Sequence, residues 1–151
     1  LLSETPLILG LDGEQKMSKS RGNAIDLKMS EKETEKLIKR AKTDSDRNIT
    51  YDPTGRPEVA NLLRLLSMCT DRTPEVWASE IGAGGAGTLK AELARALNGF
   101  LAPMRERRVA FDTDKEIVPK ILSQGNRKAR EIAINTLDEV RRAMNMDYGL
   151  D

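Results

Sequence analysis

Apolar positions along the chain change their period once. Leu7-Ile8-Leu9, behind Pro6 and ahead of Gly10, form the short apolar run of a buried strand. Past residue 30 the spacing becomes helical. Ser30 followed by Glu33 spells a capping box that opens a helix to about Ala41. "TDSDRNITYDPTGRP" (43–57) is turn-rich. Pro57 suits the first turn of the next helix, whose Val59, Leu62, Leu63, Leu65 and Leu66 make a wide apolar face. Thr73-Pro74-Glu75 starts another short helix. From Thr88, the positions Leu89, Leu93, Leu97, Phe100, Leu101 and Met104 recur at three- and four-residue steps, the clearest amphipathic helix in the chain. Thr113 with Glu116 repeats the capping-box pattern ahead of Ile117, Val118, Ile121 and Leu122. Gly125 then separates that short helix from the last one, where Ala133, Leu137, Val140 and Met144 line one face. One strand followed by about six helices predicts a mostly α chain: the end of an α/β domain, then a helical bundle.

Composition narrows the chemistry. The 151 residues suffice for one domain with a real core. A formal net charge of +1 excludes a binder that works by bulk positive charge, yet leaves room for a local basic patch. Cys69 is the single cysteine, so neither a disulfide framework nor a thiolate metal cluster is expected, and no metal site is assigned. Histidine is absent, which removes the commonest general base. The apolar runs are too short to span a membrane. "LLSETPLILGLDG" lacks the basic start and cleavage site of a signal peptide, so a cytoplasmic location is expected. The chain opens without methionine directly on an apolar segment, and is expected to be a piece of something longer.

Three stretches invite a chemical reading. "GAGGAG" (82–87) matches G-x-G-x-x-G, but "TPEVWASEI" before it reads as helix, and a dinucleotide loop needs a strand there. A flexible connection between helices is the better reading. Trp77 is the only tryptophan; stacking of single-stranded nucleic acid needs several aromatics, so it belongs in the core. The basic clusters Arg105, Arg107, Arg108 and Arg127, Lys128, Arg130 lie near helix ends, as solvated charge or as phosphate contacts to a nucleic acid.

The third stretch is "GEQKMSKSRGN" (13–23). Lys16 and Lys19 stand three apart with Ser18 and Ser20 among them. An ammonium is a movable point charge with three donors, suited to a polyphosphate whose charge redistributes during reaction. At about 4 Å, one ammonium–phosphate pair interacts by roughly 4 kcal/mol at an effective dielectric of 20. Two lysines with hydroxyl and backbone donors could thus stabilise displacement at phosphorus. Glycines on both flanks would let the loop close over a nucleotide and reopen.

Lys16-Met17-Ser18-Lys19-Ser20 reads KMSKS, which resembles the signature loop of class I aminoacyl-tRNA synthetases. "IKRAKTDSD" (38–46), "YDPTGRPEVANLL" (51–63), "LAPMRERR" (101–108) and "ILSQGNRKAREIAINTLDEVRRAM" (121–144) resemble the downstream half of tryptophanyl-tRNA synthetases, in the right order. Tyrosyl enzymes share the loop and the general fold, and remain an alternative.

The resemblance implies the last strand and KMSKS loop of a Rossmann-like catalytic domain over 1–29, followed by a helical anticodon-binding domain over 30–151. It implies activation of L-tryptophan with Mg-ATP to the adenylate, then acyl transfer to tRNA(Trp), without a bound prosthetic group and with a homodimer for the whole enzyme. Lys16 and Lys19 would lie beside the ATP phosphates, Lys19 foremost in stabilising the transition state. Met17, Ser18 and Ser20 would shape the loop and contact the nucleotide. Arg105, Arg107, Arg108, Arg127, Lys128 and Arg130 would include the RNA contacts. The family also carries an H-I-G-H signature, and a chain without histidine lacks it. These residues alone are therefore expected neither to form adenylate nor to bind tryptophan tightly. A stand-alone helical RNA-binding module with a vestigial loop is the contrasting reading.

Overall fold

The computed structural model describes residues 7–146, so Pro6 and the segment before it lie outside the described residues. Five α-helices are present among them: α1 (Glu31–Lys39), α2 (Pro57–Met68), α3 (Pro74–Ile81), α4 (Gly85–Thr113) and α5 (Ile117–Ala143). The chain divides into two compact units, one ending at Arg105 and one beginning at Glu106. Within the first unit the segment before α1 joins the core: Leu11 is buried with Ile38, Val59 and Leu63.

The helix starts follow their local chemistry. Ser30 accepts from the Glu33 N–H at 3.3 Å while the Glu33 carboxylate accepts from the Ser30 N–H at 2.8 Å, a complete capping box. Pro57 begins α2, and the Thr73 hydroxyl caps α3. The apolar face of α2 is almost wholly buried, with Val59, Leu62, Leu63 and Leu66 no more than 1% exposed. Leu89 and Leu93 of α4 join them, as does Trp77, whose indole N–H donates to Thr70 Oγ1 at 2.9 Å. Between α1 and α2, Arg56 orders the turn-rich stretch. Its guanidinium donates to both carboxylate oxygens of Asp44 and to the carbonyls of Asn48 and Asp46.

Several sequence expectations are corrected. Leu7-Ile8-Leu9 forms no strand; Leu9 makes a single antiparallel bridge with Lys16, since one hairpin-like return supplies only one short partner. The glycine run 82–87 lies between α3 and α4: it forms a 3-10 turn over Gly82–Gly84, and α4 starts at Gly85. What precedes it is helix α3, so the dinucleotide reading lacks its strand.

Thr113 caps nothing. Its hydroxyl donates back to the Val109 carbonyl at 2.8 Å inside α4, and Asp114 accepts from the Glu116 N–H instead. Gly125 separates nothing either, because α5 runs through it as one helix. A mid-helix glycine costs about 1 kcal/mol against alanine, too little to end a helix by itself. The second unit holds the end of α4 and all of α5, and no residue of α5 is buried. Leu137, Val140 and Met144, which line one face of α5, are 46–61% exposed, as are Val118, Ile121 and Leu122 at 55–58%. In α4, Phe100 and Met104 are exposed while Leu101 is buried.

Candidate phosphate-handling loop

The stretch 13–23 leaves the body of the first unit and returns to it over a short base. Gly10 N–H donates to the Gln15 carbonyl at 2.8 Å and Met17 N–H to the Ile8 carbonyl at 3.0 Å, which turns the chain back on itself. Leu11 N–H donates to the Asn23 carbonyl at 2.9 Å, closing the far end. Asn61, a polar residue buried in the apolar face of α2, donates its amide to the carbonyls of Leu9 and Gly10 at 3.1 and 3.0 Å. The loop is thereby hung from α2.

Asn23 is the buried knot of the base, 7% exposed. Its Oδ1 accepts from the Ser18 N–H at 2.8 Å, and its Nδ2 donates to Asp12 Oδ2 at 2.8 Å and the Lys16 carbonyl at 3.4 Å. Space for it depends on Gly10, where a Cβ would stand 2.2 Å from Asn23 Nδ2. Gly13 has φ +73°, and a Cβ there would meet the Glu58 backbone at 2.9 Å, so both conformation and contact require glycine. The Asp12 carboxyl is held below the usual carboxylate range, first by the Asn23 amide and then by the Glu14 N–H.

The signature residues occupy the outer arc. Lys16 is exposed, and its backbone pairs with Leu9. Met17 is half-buried, and the Ser18 and Ser20 hydroxyls share a hydrogen bond of 2.9 Å. Lys19 opens a 3-10 turn, Lys19–Arg21, ended by Gly22 in the left-handed region. The Lys19 ammonium lies 3.2 Å from Asp26 Oδ2. Asp26 titrates below the usual range, mainly because the Lys28 N–H bonds its carboxylate and secondarily because of Lys19.

Behind the loop, Lys42 bridges Glu14 at 2.8 Å and Glu58 at 3.2 Å, and these carboxylates raise its pKa, Glu14 most. Two exposed ammoniums and two hydroxyls on one arc form a donor-rich surface suited to a polyanion.

The structure brings Lys16 to Ser20 onto one arc, and Asp12, Asn23, Asp26, Lys42 and Asn61, which hold or flank it, were not singled out from the sequence. Only Asn61 carried a local signal, as an amide within the apolar face of "VANLLRLL".

The basic clusters are not alike. Arg105 spends its guanidinium inside the first unit, donating to Asn98 Oδ1 at 2.9 Å and Thr34 Oγ1 at 2.8 Å. Arg108 pairs with Asp112 at 3.2 Å one turn on. Arg107, Arg127, Lys128 and Arg130 are exposed. Among the described residues no group of three or more His, Cys, Asp or Glu side chains is placed to hold a metal ion, and no helix is long and apolar enough to cross a membrane.

The family model described as tRNA synthetases class I (W and Y) matches residues 3–102. The tryptophan–tRNA ligase of Thermotoga maritima is 39% identical over 98% of this chain and 46% of its own length. That of Aquifex aeolicus is 37% identical over 97% of this chain and 38% of its own length. Among solved structures, the tryptophanyl-tRNA synthetase of Campylobacter jejuni, complexed with ADP and tryptophan, superposes with a TM-score of 0.73. It is 27% identical, covering 95% of this chain and 44% of that one. The chain thus spans less than half the length of these relatives.

Proposed function

The chain belongs to the class I tRNA synthetases of the tryptophan and tyrosine family, and from that premise we propose that it supplies the phosphate-handling loop and helical region of a tryptophan–tRNA ligase. The relatives named above are tryptophan enzymes, which favours tryptophan over tyrosine. The observation that carries the reading is the intact Lys16-Met17-Ser18-Lys19-Ser20 sequence on the exposed arc of a loop tied at its base by Asp12 and Asn23.

In this reading a tryptophan carboxylate oxygen attacks the α-phosphorus of ATP, and the bond to pyrophosphate breaks. Negative charge builds on the leaving oxygens, where Lys19 and Lys16 act electrostatically without giving up a proton. Ser18 and Ser20 orient the phosphates, while Met17, half-buried, anchors the arc. Magnesium travels with ATP as part of the substrate. Residues 1–29 close the nucleotide-binding domain, and 30–151 are the tRNA(Trp)-binding region of an enzyme that is cytoplasmic and homodimeric as a whole. Arg107, Arg108, Arg127, Lys128 and Arg130 are the RNA-contact candidates; Arg105 is occupied by Asn98 and Thr34.

The test is ATP–pyrophosphate exchange in the complete enzyme with Lys19→Ala. Losing one preorganised donor to developing charge lowers the rate about a hundred- to a thousandfold. Such a fall with tryptophan binding unchanged supports the reading, and unchanged exchange removes Lys19 from it.

A further inference from the structure

Asp26 lies outside the signature stretch, three residues past Asn23, yet its carboxylate reaches back to Lys19 with Oδ2 at 3.2 Å from Nζ. The two partners are unequal. The Asp26 side chain is 14% exposed, and that of Lys19 is 77% exposed. Asp26 is also fixed on other sides: Oδ1 accepts from the Lys28 N–H at 3.1 Å and its carbonyl from the Met29 N–H at 2.9 Å. Lys19 has no other carboxylate within 4 Å among the described residues. The acid is part of the frame; the ammonium is a free arm tethered at one point.

Taking 13–23 as the phosphate-handling loop, as read above, we propose that Asp26 is the resting counter-ion of Lys19. It holds the ammonium on the protein while no polyphosphate is bound, and yields it to the more highly charged nucleotide. A ligand that needs free Lys19 then binds more weakly by the fraction of loops in which the pair is formed. Exposed pairs of this kind shift such equilibria by no more than about fivefold, so the pairing tunes affinity without blocking the reaction. Asp26 is in this sense a positioning residue, acting only through Lys19.

The test compares Asp26→Asn, Lys19→Ala and the double variant in ATP–pyrophosphate exchange by the complete enzyme. Asparagine keeps the oxygen that accepts from the Lys28 N–H and removes only the charge. The expected result for Asp26→Asn is a fall in KM for ATP of about two- to fivefold, with KM for tryptophan unchanged. The difference from the unsubstituted enzyme shrinks as salt is added. In the Lys19→Ala background the same substitution leaves KM for ATP where it was. An unchanged or raised KM for ATP in Asp26→Asn overturns the proposal, as does an equal fall without Lys19. Failure of the underlying reading shows separately, as Lys19→Ala exchanging like the unsubstituted enzyme.

Discussion

The Asn23 amide joins three points that the chain keeps apart: Ser18 on the arc, Asp12 in the turn that enters the base, and the carbonyl of Lys16. Neither lysine ties the loop to this degree, since both are exposed and the Lys19 side chain has a single ion-pair partner among the described residues, Asp26. Asn23→Ala removes the acceptor for a backbone N–H and the donor for a carboxylate, at a cost of roughly 1–3 kcal/mol because the partners lose bonds at a partly buried site. The expected outcome is an unfolding free energy lower by that amount, seen as a lower urea midpoint with the m-value unchanged, together with faster hydrogen exchange at the Ser18 amide. A variant that keeps the Ser18 amide protected would show that the base closes without Asn23. KMSKS is legible because its five letters are consecutive; Asn23 is not, because its meaning lies in bonds to residues five, seven and eleven positions away. The Lys19–Asp26 pair is hidden for the same reason, across seven residues and a turn.

At the scale of elements, most helix starts could be read because caps act over three residues. Ser30 with Glu33, Thr73 with Val76 and Pro57 all stand where the sequence puts them. Where two local signals compete, position decides. The Thr113 hydroxyl had a carbonyl of its own helix within reach and took it, so α4 runs on to Thr113 and the second capping box never forms. Gly125 looked like a break but sits inside α5, in the open, with nothing within 4 Å of where a Cβ would be. Gly125→Ala is therefore free of steric cost and gains the helix preference of alanine, about 1 kcal/mol. Circular dichroism should show higher helicity, and hydrogen exchange on either side of residue 125 should slow. Loss of helicity instead would mean that the glycine is needed for a bend or a close approach in solution.

For the whole molecule, the burial pattern was read correctly only where the helices pack. Among the described residues every buried one lies at or before Leu101, and α5 has none although its apolar stripe is regular. Periodicity reports that a face is apolar; what it faces is a property of the assembled chain. Charge, by contrast, sums over the molecule and gives a pH profile. Asp12, Asp26, Glu33 and Asp44 titrate below their ordinary range, through hydrogen bonds from Asn23, Lys28, Ser30 and Arg56 respectively. A carboxylate depressed in the folded state leaves the unfolded chain binding more protons, so stability rises with pH across that interval. The contribution is complete above the unfolded values near pH 4 and is lost as pH falls through the folded ones. On the alkaline side the sign reverses. Burial raises the Cys69 thiol, and Glu14 with Glu58 raises Lys42, so stability declines above about pH 8.5 and further above about 10.4. Burial lowers Lys90, so its unfavourable contribution is relieved as pH rises towards about 10.4, before that second decline begins. No histidine titrates between these limits. Urea midpoints should stay flat from about pH 5.5 to 7.5 and drop steeply below about 4.5. A transition centred near pH 6.5 would require a strongly shifted carboxylate that none of these contacts provides, and would disprove the assignment of acid sensitivity to the loop base, the α1 cap and the Arg56 cluster.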